Sequence, residues 1–205
     1  MLDSKTNLLS ASLLSTASFV MQKYRADIAH CQHVLHNARM IAEFALPTLK
    51  NADRWDKHPL WQRLGLAALL HDIGHYVADQ GHHKHSYYLI LNAEELQPLG
   101  QPLREDIALL SWCHRKHFKN GWLKERFTGN PELIQLAAIL RVADGLDRSH
   151  TGRVDVVNGF VQKEAFVLET RGLRASEREV IMDRKADAWK AAFRQSFEVR
   201  ILPMT

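Results

Sequence analysis

The chain is poor in the residues that mark several protein classes. It has two cysteines, Cys31 and Cys113, in 205 residues, too few for the disulfide framework of a small secreted domain. That usage favours a reducing, cytoplasmic compartment. Its 10 glycines and 6 prolines exclude collagen-like and low-complexity chains. No apolar run approaches the roughly 18 residues of a membrane-spanning helix. The leucine-rich stretch 8–21 is interrupted by serines, so we expect an ordinary first helix there rather than a secretory signal.

The charge excess is small. Lys and Arg number 27 against 23 Asp and Glu, which gives a formal net charge of +4. This balance suits anionic ligands. Because the chain has no long basic run and no aromatic platform motif, we expect neither specific DNA binding nor membrane association.

Histidine is the residue type that is most informative about a functional site in this sequence. The chain has 12 histidines, and five of them fall between positions 71 and 85. Such a density is unusual for solvated surface decoration and directs the search for a site to this segment.

Helical patterns run from about residue 8 to 148. Three helix starts carry a proline in the first turn, where its missing N–H group is tolerated. These prolines are Pro59, Pro102 and Pro131, the last preceded by the potential cap Asn130. Apolar periodicity predicts two further helices at 30–45 and 86–96.

After residue 148 the composition changes. Segments 153–161 and 165–170 are rich in Val and Phe, 177–193 has an amphipathic helical pattern, and 197–201 alternates apolar and polar residues. We therefore predict a mainly α protein, with a helical bundle over residues 1–150 and a small β-β-α-β part over 151–205 packed on it. The pair Asn158–Gly159 leaves open a tight hairpin that would shorten the first strand.

Several helices direct a polar side chain toward the core. His30 begins an apolar stripe, and His71 continues another and is followed by Asp72. His114 lies seven residues after an isoleucine and four after a leucine, and Asp144 lies eight and four residues after leucines, so both also continue apolar stripes. Each could be a core residue with local hydrogen bonds, but the repetition on separate helices favours one shared site. Nitrogen and oxygen donors without thiolates indicate a divalent metal, with Mn²⁺, Fe, Zn²⁺, Ni²⁺ and Mg²⁺ all open.

The order His30, His71-Asp72 and Asp144 resembles the H…HD…D signature of the HD-domain phosphohydrolase superfamily. The segments ALLHDIGH at 68–75 and LRVADGLDRS at 140–149 are similar to its central and terminal motifs. The segments at 24–34, 82–90 and 112–116 further resemble the C-terminal HD-like region of the exopolyphosphatase / guanosine pentaphosphate phosphohydrolase family. This resemblance extends from about residue 15 to the end.

The resemblance implies a HD-type helical bundle with one or two metal ions. It assigns four ligands to one ion, lets Asp72 bridge to a second ion, and adds two further histidines. The implied ligands are His30, His71, Asp72, His82, His114 and Asp144. His33 is the alternative to His30 as the first ligand. We prefer His30, because Val34 lies four residues after His30, as in the family pattern. His83 and His85 are alternatives or additions to His82.

The resemblance also implies roles in phosphate ester hydrolysis. Asp72 would orient or deprotonate a water molecule, and His75 or His85 would protonate the leaving oxygen. Basic residues beside the ligands would neutralise substrate phosphate, namely Lys84, Arg115, Lys116 and Arg148. Many HD proteins have a lysine where this chain has His75.

Full-length exopolyphosphatases carry an actin-like domain upstream, without a counterpart in these 205 residues, so exopolyphosphatase activity as such does not transfer. We expect a metal-dependent phosphohydrolase acting on a phosphorylated small molecule, a nucleotide such as a guanosine polyphosphate, or polyphosphate. The alternative is a non-catalytic regulatory module that binds polyphosphate or nucleotide. The exposed edge of the C-terminal sheet could pair two copies in a homodimer.

Overall fold

The computed structural model describes residues 9–48, 58–115, 117–118, 125–127 and 129–204. The α-helices in these ranges are α1 (Ala11–Lys23), α2 (Ile28–Ala45), α3 (His58–Leu70), α4 (His82–Asn92), α5 (Gln101–Cys113), α6 (Pro131–Leu146), α7 (Ala175–Val180) and α8 (Trp189–Phe193). The strands are β1 (Asp155–Gln162), β2 (Ala165–Arg171) and β3 (Ser196–Ile201). The prediction of a mainly α protein with a small C-terminal β-containing part is confirmed.

The helix starts follow from local capping. The Ser10 side chain accepts a hydrogen bond at the start of α1, and Asn130 accepts one from the Leu133 backbone N–H at 3.1 Å at the start of α6. Asp27 caps α2 by accepting from the His30 backbone N–H at 3.1 Å. α2, α3 and α6 pack against one another, and the apolar stripes that the sequence predicts on them are buried, except for Leu60 in the first turn of α3, which is partly buried. These three helices form the centre of the bundle.

Two predicted helices differ from the structure. α4 begins at His82 and ends at Asn92, and residues Glu94–Leu99 form a separate 3-10 turn because the extended backbone of Ala93 interrupts the helix. The pattern over 177–193 is divided into α7, a π-helical turn (Ile181–Lys185), a 3-10 turn (Ala186–Ala188) and α8. The buried Arg141 guanidinium donates to the carbonyls of Arg184 and Lys185, and so competes with the regular helical hydrogen bonds.

The sheet has the order β1-β2-β3, with β1 antiparallel to β2 and β2 parallel to β3. The predicted β-β-α-β order is therefore confirmed. The tight hairpin at Asn158–Gly159 is wrong, because both residues lie inside β1 and pair with β2. Gly159 is needed there for close packing, since a Cβ atom at this position would lie 2.7 Å from Phe44 Cβ of α2.

One cluster of buried apolar residues includes both the helical part and the C-terminal part. Trp189 and Phe193 of α8 stack with ring centroids 4.3 Å apart, and Phe166 of β2 lies 5.0 Å from Trp189. The division of the chain at residue 150 stays a prediction. Within the described ranges, no helix combines the length and apolar character needed to cross a bilayer.

Candidate metal centre

Five helices bring six polar side chains to one buried place. Their positions explain the convergence, since most stand at helix ends that meet at the same side of the bundle. His30 lies in the first turn of α2, His71 and Asp72 follow α3, His82 begins α4, His114 follows α5, and Asp144 lies in the last turn of α6.

The first group of donor atoms joins two imidazoles to two carboxylates. His30 Nε2 lies 3.6 Å from both Asp72 Oδ2 and Asp144 Oδ1. His71 Nε2 lies 3.5 Å from Asp72 Oδ2 and 3.7 Å from Asp144 Oδ1. Ligand atoms that share one ion at about 2.1 Å stand roughly 3 to 3.5 Å apart, so this spacing suits a common cation.

The second group uses the other oxygen of the same aspartate. Asp72 Oδ1 lies 3.3 Å from His82 Nε2 and 3.3 Å from His114 Nε2, and these two nitrogens are 3.1 Å apart. Asp72 therefore faces the first group with Oδ2 and the second with Oδ1. This is the geometry that a bridging carboxylate would need.

The remaining ring nitrogens fix how three of the imidazoles point. The Nδ1 atoms of these rings face acceptors, so in the neutral form that binds a metal each Nδ1 carries the proton and each Nε2 presents a lone pair to the centre. The acceptors are Asp147 Oδ2 at 2.9 Å for His30, the Ala68 carbonyl at 2.9 Å for His71, and the Ser111 carbonyl for His114. His82 Nδ1 instead lies near both an acceptor, the Asp79 carbonyl at 3.1 Å, and a donor, Arg115 Nη1 at 3.3 Å.

The inward atoms are short of hydrogen-bond partners. His30 Nε2, His71 Nε2 and Asp72 Oδ1 are buried, and none of them hydrogen-bonds to another described residue. A buried polar atom left in this state costs about 1–3 kcal/mol, so three of them in one place call for a ligand. The donor set of nitrogen and oxygen atoms without thiolate fits a divalent ion.

Electrostatics keep the carboxylates of the centre ionised. Burial alone would raise the pKa of Asp72, but His71 and His114 hold it far below its ordinary value. Burial would likewise raise the pKa of Asp144, which Lys185 and His30 instead hold well below its usual range. Two anionic carboxylates in a buried site attract a cation.

The histidines of the two groups respond differently to their surroundings. Burial lowers the pKa of His30, but the Asp144 and Asp147 carboxylates outweigh this and raise it to about 9. Burial lowers the pKa of His82 to about 3, despite the attraction of Asp72. The second group therefore holds a neutral imidazole at physiological pH.

A cavity of about 250 Å³ opens beside the two groups. Besides candidate donors, its lining includes His75, Arg115, Arg148, His150 and Lys185. A wall with three basic side chains beside two cation-attracting groups is suited to an anion such as phosphate.

The predicted catalytic and phosphate-binding residues divide into two sets. His75 lines the cavity, stacks on His82 with centroids 3.8 Å apart, and places Nε2 3.8 Å from Asp72 Oδ2. Arg115 and Arg148 also line it. Lys84 and His85 are absent from the described lining, and Lys84 is exposed on the opposite side of α4 to His82. Lys116 lies outside the described residues.

The alternative histidines lie elsewhere. His33 Nε2 bonds to the Val154 carbonyl at 2.9 Å, so the structure places His30 rather than His33 in the first group. His83 is buried and packs edge-on against Trp112, with ring centroids 5.7 Å apart.

Three residues of the centre are absent from the sequence-based hypothesis. Asp147, which supports His30, follows Asp144 by three residues and could have been found as the next polar position on its helix face. His150 stacks on His30 with centroids 3.8 Å apart and pairs with Asp27 at 3.0 Å. Lys185 contacts Asp144 from 41 positions away, for which the sequence has no signal.

Arg141 pairs with a different carboxylate from the one that its position in the sequence suggests. Its spacing of three residues before Asp144 suggests either an ion pair that orients this carboxylate or a plain surface pair. In the structure Arg141 is buried and pairs with Asp187, with Nη2 2.7 Å from Oδ1. The cation on Asp144 is Lys185.

Similarity to a known protein family extends over most of the chain. Residues 14–197 match the family model described as Ppx/GppA phosphatase, domain III. No curated protein matches the chain.

Proposed function

Because the chain belongs to the Ppx/GppA phosphatase domain III family, we propose that it is a metal-dependent phosphohydrolase of the HD type. The family is phosphatase-related, which supports hydrolase chemistry on a phosphorylated substrate such as polyphosphate or a nucleotide. The observation that carries the proposal is the pair of donor groups joined by Asp72, with buried inward atoms that lack hydrogen-bond partners.

The two groups would hold the metal. His30, His71, Asp72 and Asp144 would bind one divalent ion, and Asp72, His82 and His114 would contribute to a second. A divalent ion supplies Lewis-acid polarisation of a phosphoryl oxygen and activation of a water molecule. Elemental analysis would identify which of Mn²⁺, Fe, Zn²⁺, Ni²⁺ and Mg²⁺ the protein binds.

The residues that line the cavity would act on the substrate. Arg115 and Arg148 would bind phosphate oxygens. The Asp72 carboxylate, kept ionised by its neighbours, would orient the attacking water. His75 donates from Nδ1 to Asp79 Oδ1 at 2.7 Å, and its Nε2 would carry the proton for the leaving oxygen.

Elemental analysis together with a hydrolysis screen tests the proposal. We expect the purified protein to contain at least one equivalent of a transition metal and to release phosphate from one of a panel of nucleotides, cyclic nucleotides and polyphosphate. Asp72→Ala should abolish both, whereas Asp155→Ala, which removes an exposed carboxylate on β1, should change neither.

Two other outcomes of these measurements would contradict the hydrolase proposal. Bound metal without turnover across the panel would favour a regulatory module that binds polyphosphate or nucleotide. A folded protein that takes up no metal in supplemented medium would refute both functions.

A further inference from the structure

Lys185 is a basic side chain that contacts the candidate metal centre. It is the last residue of the π-helical turn and is only 9% exposed. Its Nζ contacts Asp144 Oδ2 and donates to the His114 carbonyl oxygen at 3.0 Å. Lys185 thus touches a residue from each of the two donor groups, and it also lines the cavity.

The fold holds this side chain in place from two sides. The backbone of Gly145 leaves room for the lysine stem, since a Cβ atom there would lie 3.0 Å from Lys185 Cγ and 3.2 Å from Ile181 Cγ1. The Arg141 guanidinium donates to the carbonyls of Arg184 and Lys185. Both supports come from α6, the helix that carries Asp144, so the ammonium and the carboxylate are positioned by the same element.

We propose that Lys185 binds the phosphate group of the substrate, an inference that rests on the proposed function. A lysine ammonium has three N–H groups, and two acceptors occupy it among the described residues. The third N–H is left for an anion in the cavity that the residue lines. Arg115 and Arg148 are exposed, whereas Lys185 is buried against Asp144 and His114, so its ammonium is held where a phosphate next to the metal would lie.

The positive charge of Lys185, which attracts phosphate, would oppose the binding of a cation nearby. The ammonium that contacts Asp144 would repel a divalent ion held by the same carboxylate and would compete with it for the negative charge. Removing the charge should therefore weaken phosphate binding without weakening metal binding. A general loss of structure would weaken both.

The test compares Lys185→Met with Lys190→Met, which removes the same charge from an exposed position on α8. Orthophosphate affinity is measured by calorimetry on the Mn²⁺-loaded proteins, and Mn²⁺ affinity by competition with a fluorescent chelator. We expect Lys185→Met to bind orthophosphate at least about tenfold more weakly, because a charge-assisted hydrogen bond is lost. Its Mn²⁺ affinity should be unchanged or higher, and Lys190→Met should match the wild type in both measurements.

A second variant covers the case in which Lys185→Met does not fold. Gly145→Ala keeps the charge but crowds the lysine stem, so we expect it to weaken orthophosphate binding as well. Wild-type orthophosphate affinity in Lys185→Met, or equal losses of phosphate and Mn²⁺ affinity, would overturn the role of Lys185 while leaving the hydrolase proposal intact. A wild-type protein that neither binds orthophosphate nor hydrolyses any substrate would overturn both.

Discussion

Replacing Asp147 with asparagine would keep the shape of this side chain but remove its charge from behind His30. The carboxylate is 1% exposed, and both of its oxygens accept hydrogen bonds. Oδ2 accepts from His30 Nδ1 at 2.9 Å, and Oδ1 accepts from the backbone N–H groups of Thr151 at 3.2 Å and Gly152 at 2.8 Å. Asparagine has only one oxygen for these two tasks.

In each of its two orientations, the amide of the asparagine fails to replace one of the two roles of the carboxylate. If its oxygen faces His30, the amide NH₂ group points at two backbone N–H donors, which should destabilise the metal-free protein by about 1–3 kcal/mol. If its NH₂ group faces His30, Nδ1 must accept, so the ring proton moves to Nε2 and blocks the lone pair that faces the centre. Loss of such a supporting carboxylate typically weakens metal binding by about 10- to 100-fold, or roughly 1.4–2.7 kcal/mol.

Two measurements on Asp147→Asn follow from this. Metal affinity is obtained by chelator competition, and the free energy of unfolding of the metal-free protein by urea titration. Asp155→Asn makes the same chemical change at an exposed position and should alter neither. Metal affinity within about twofold of the wild type in Asp147→Asn would refute the assignment of His30 as a ligand oriented by Asp147.

Further predictions concern ligand identity, close packing and charge. His30→Asn should lose the ion of the first group, whereas His33→Asn should retain it, because His33 bonds to a backbone carbonyl instead; elemental analysis distinguishes them. Gly74→Ala should lower the melting temperature and the metal content, because its Cβ would overlap a carbonyl oxygen in the first turn of α4. Burial would raise the pKa of Glu177, but Arg153 holds it below the ordinary 4.5. Glu177→Gln should therefore destabilise the protein by about 1 kcal/mol at neutral pH. The difference in urea unfolding should shrink as the pH falls below the ordinary 4.5 and disappear below the lowered pKa, where the carboxylate is protonated in the folded protein as well.

Those parts of the fold that depend on local signals were accessible from the sequence. Pro131 and the cap Asn130 mark the start of α6 because their effects are confined to one helical turn. The interruption of the helix pattern at 181–188 was not accessible, because it accompanies hydrogen bonds from Arg141, which lies more than 40 residues earlier in the chain. The alternative of a hairpin at Asn158–Gly159 was wrong for a similar reason, since this local turn signal does not reflect the pairing of both residues with β2.

In the candidate site, too, the features that depend on local sequence signals were predictable and those that depend on tertiary packing were not. Helical periodicity directed His30, His71 and Asp144 inward, and the structure brings them together. The support of His30 by Asp147 and the contact of Lys185 with Asp144 depend on tertiary packing, which periodicity does not encode. Side chains on helix ends were thus easier to place than their partners from loops and distant turns.

The contact between Lys185 and Asp144 has a consequence for protein engineering. A chimera joined near residue 150 would inherit the anion of this pair from one parent and the cation from the other. Unless both parents carry the same two residues, the hybrid would bury an uncompensated charge. A successful exchange of the C-terminal segment would then require Asp144, Gly145 and Lys185 to be transplanted as one unit.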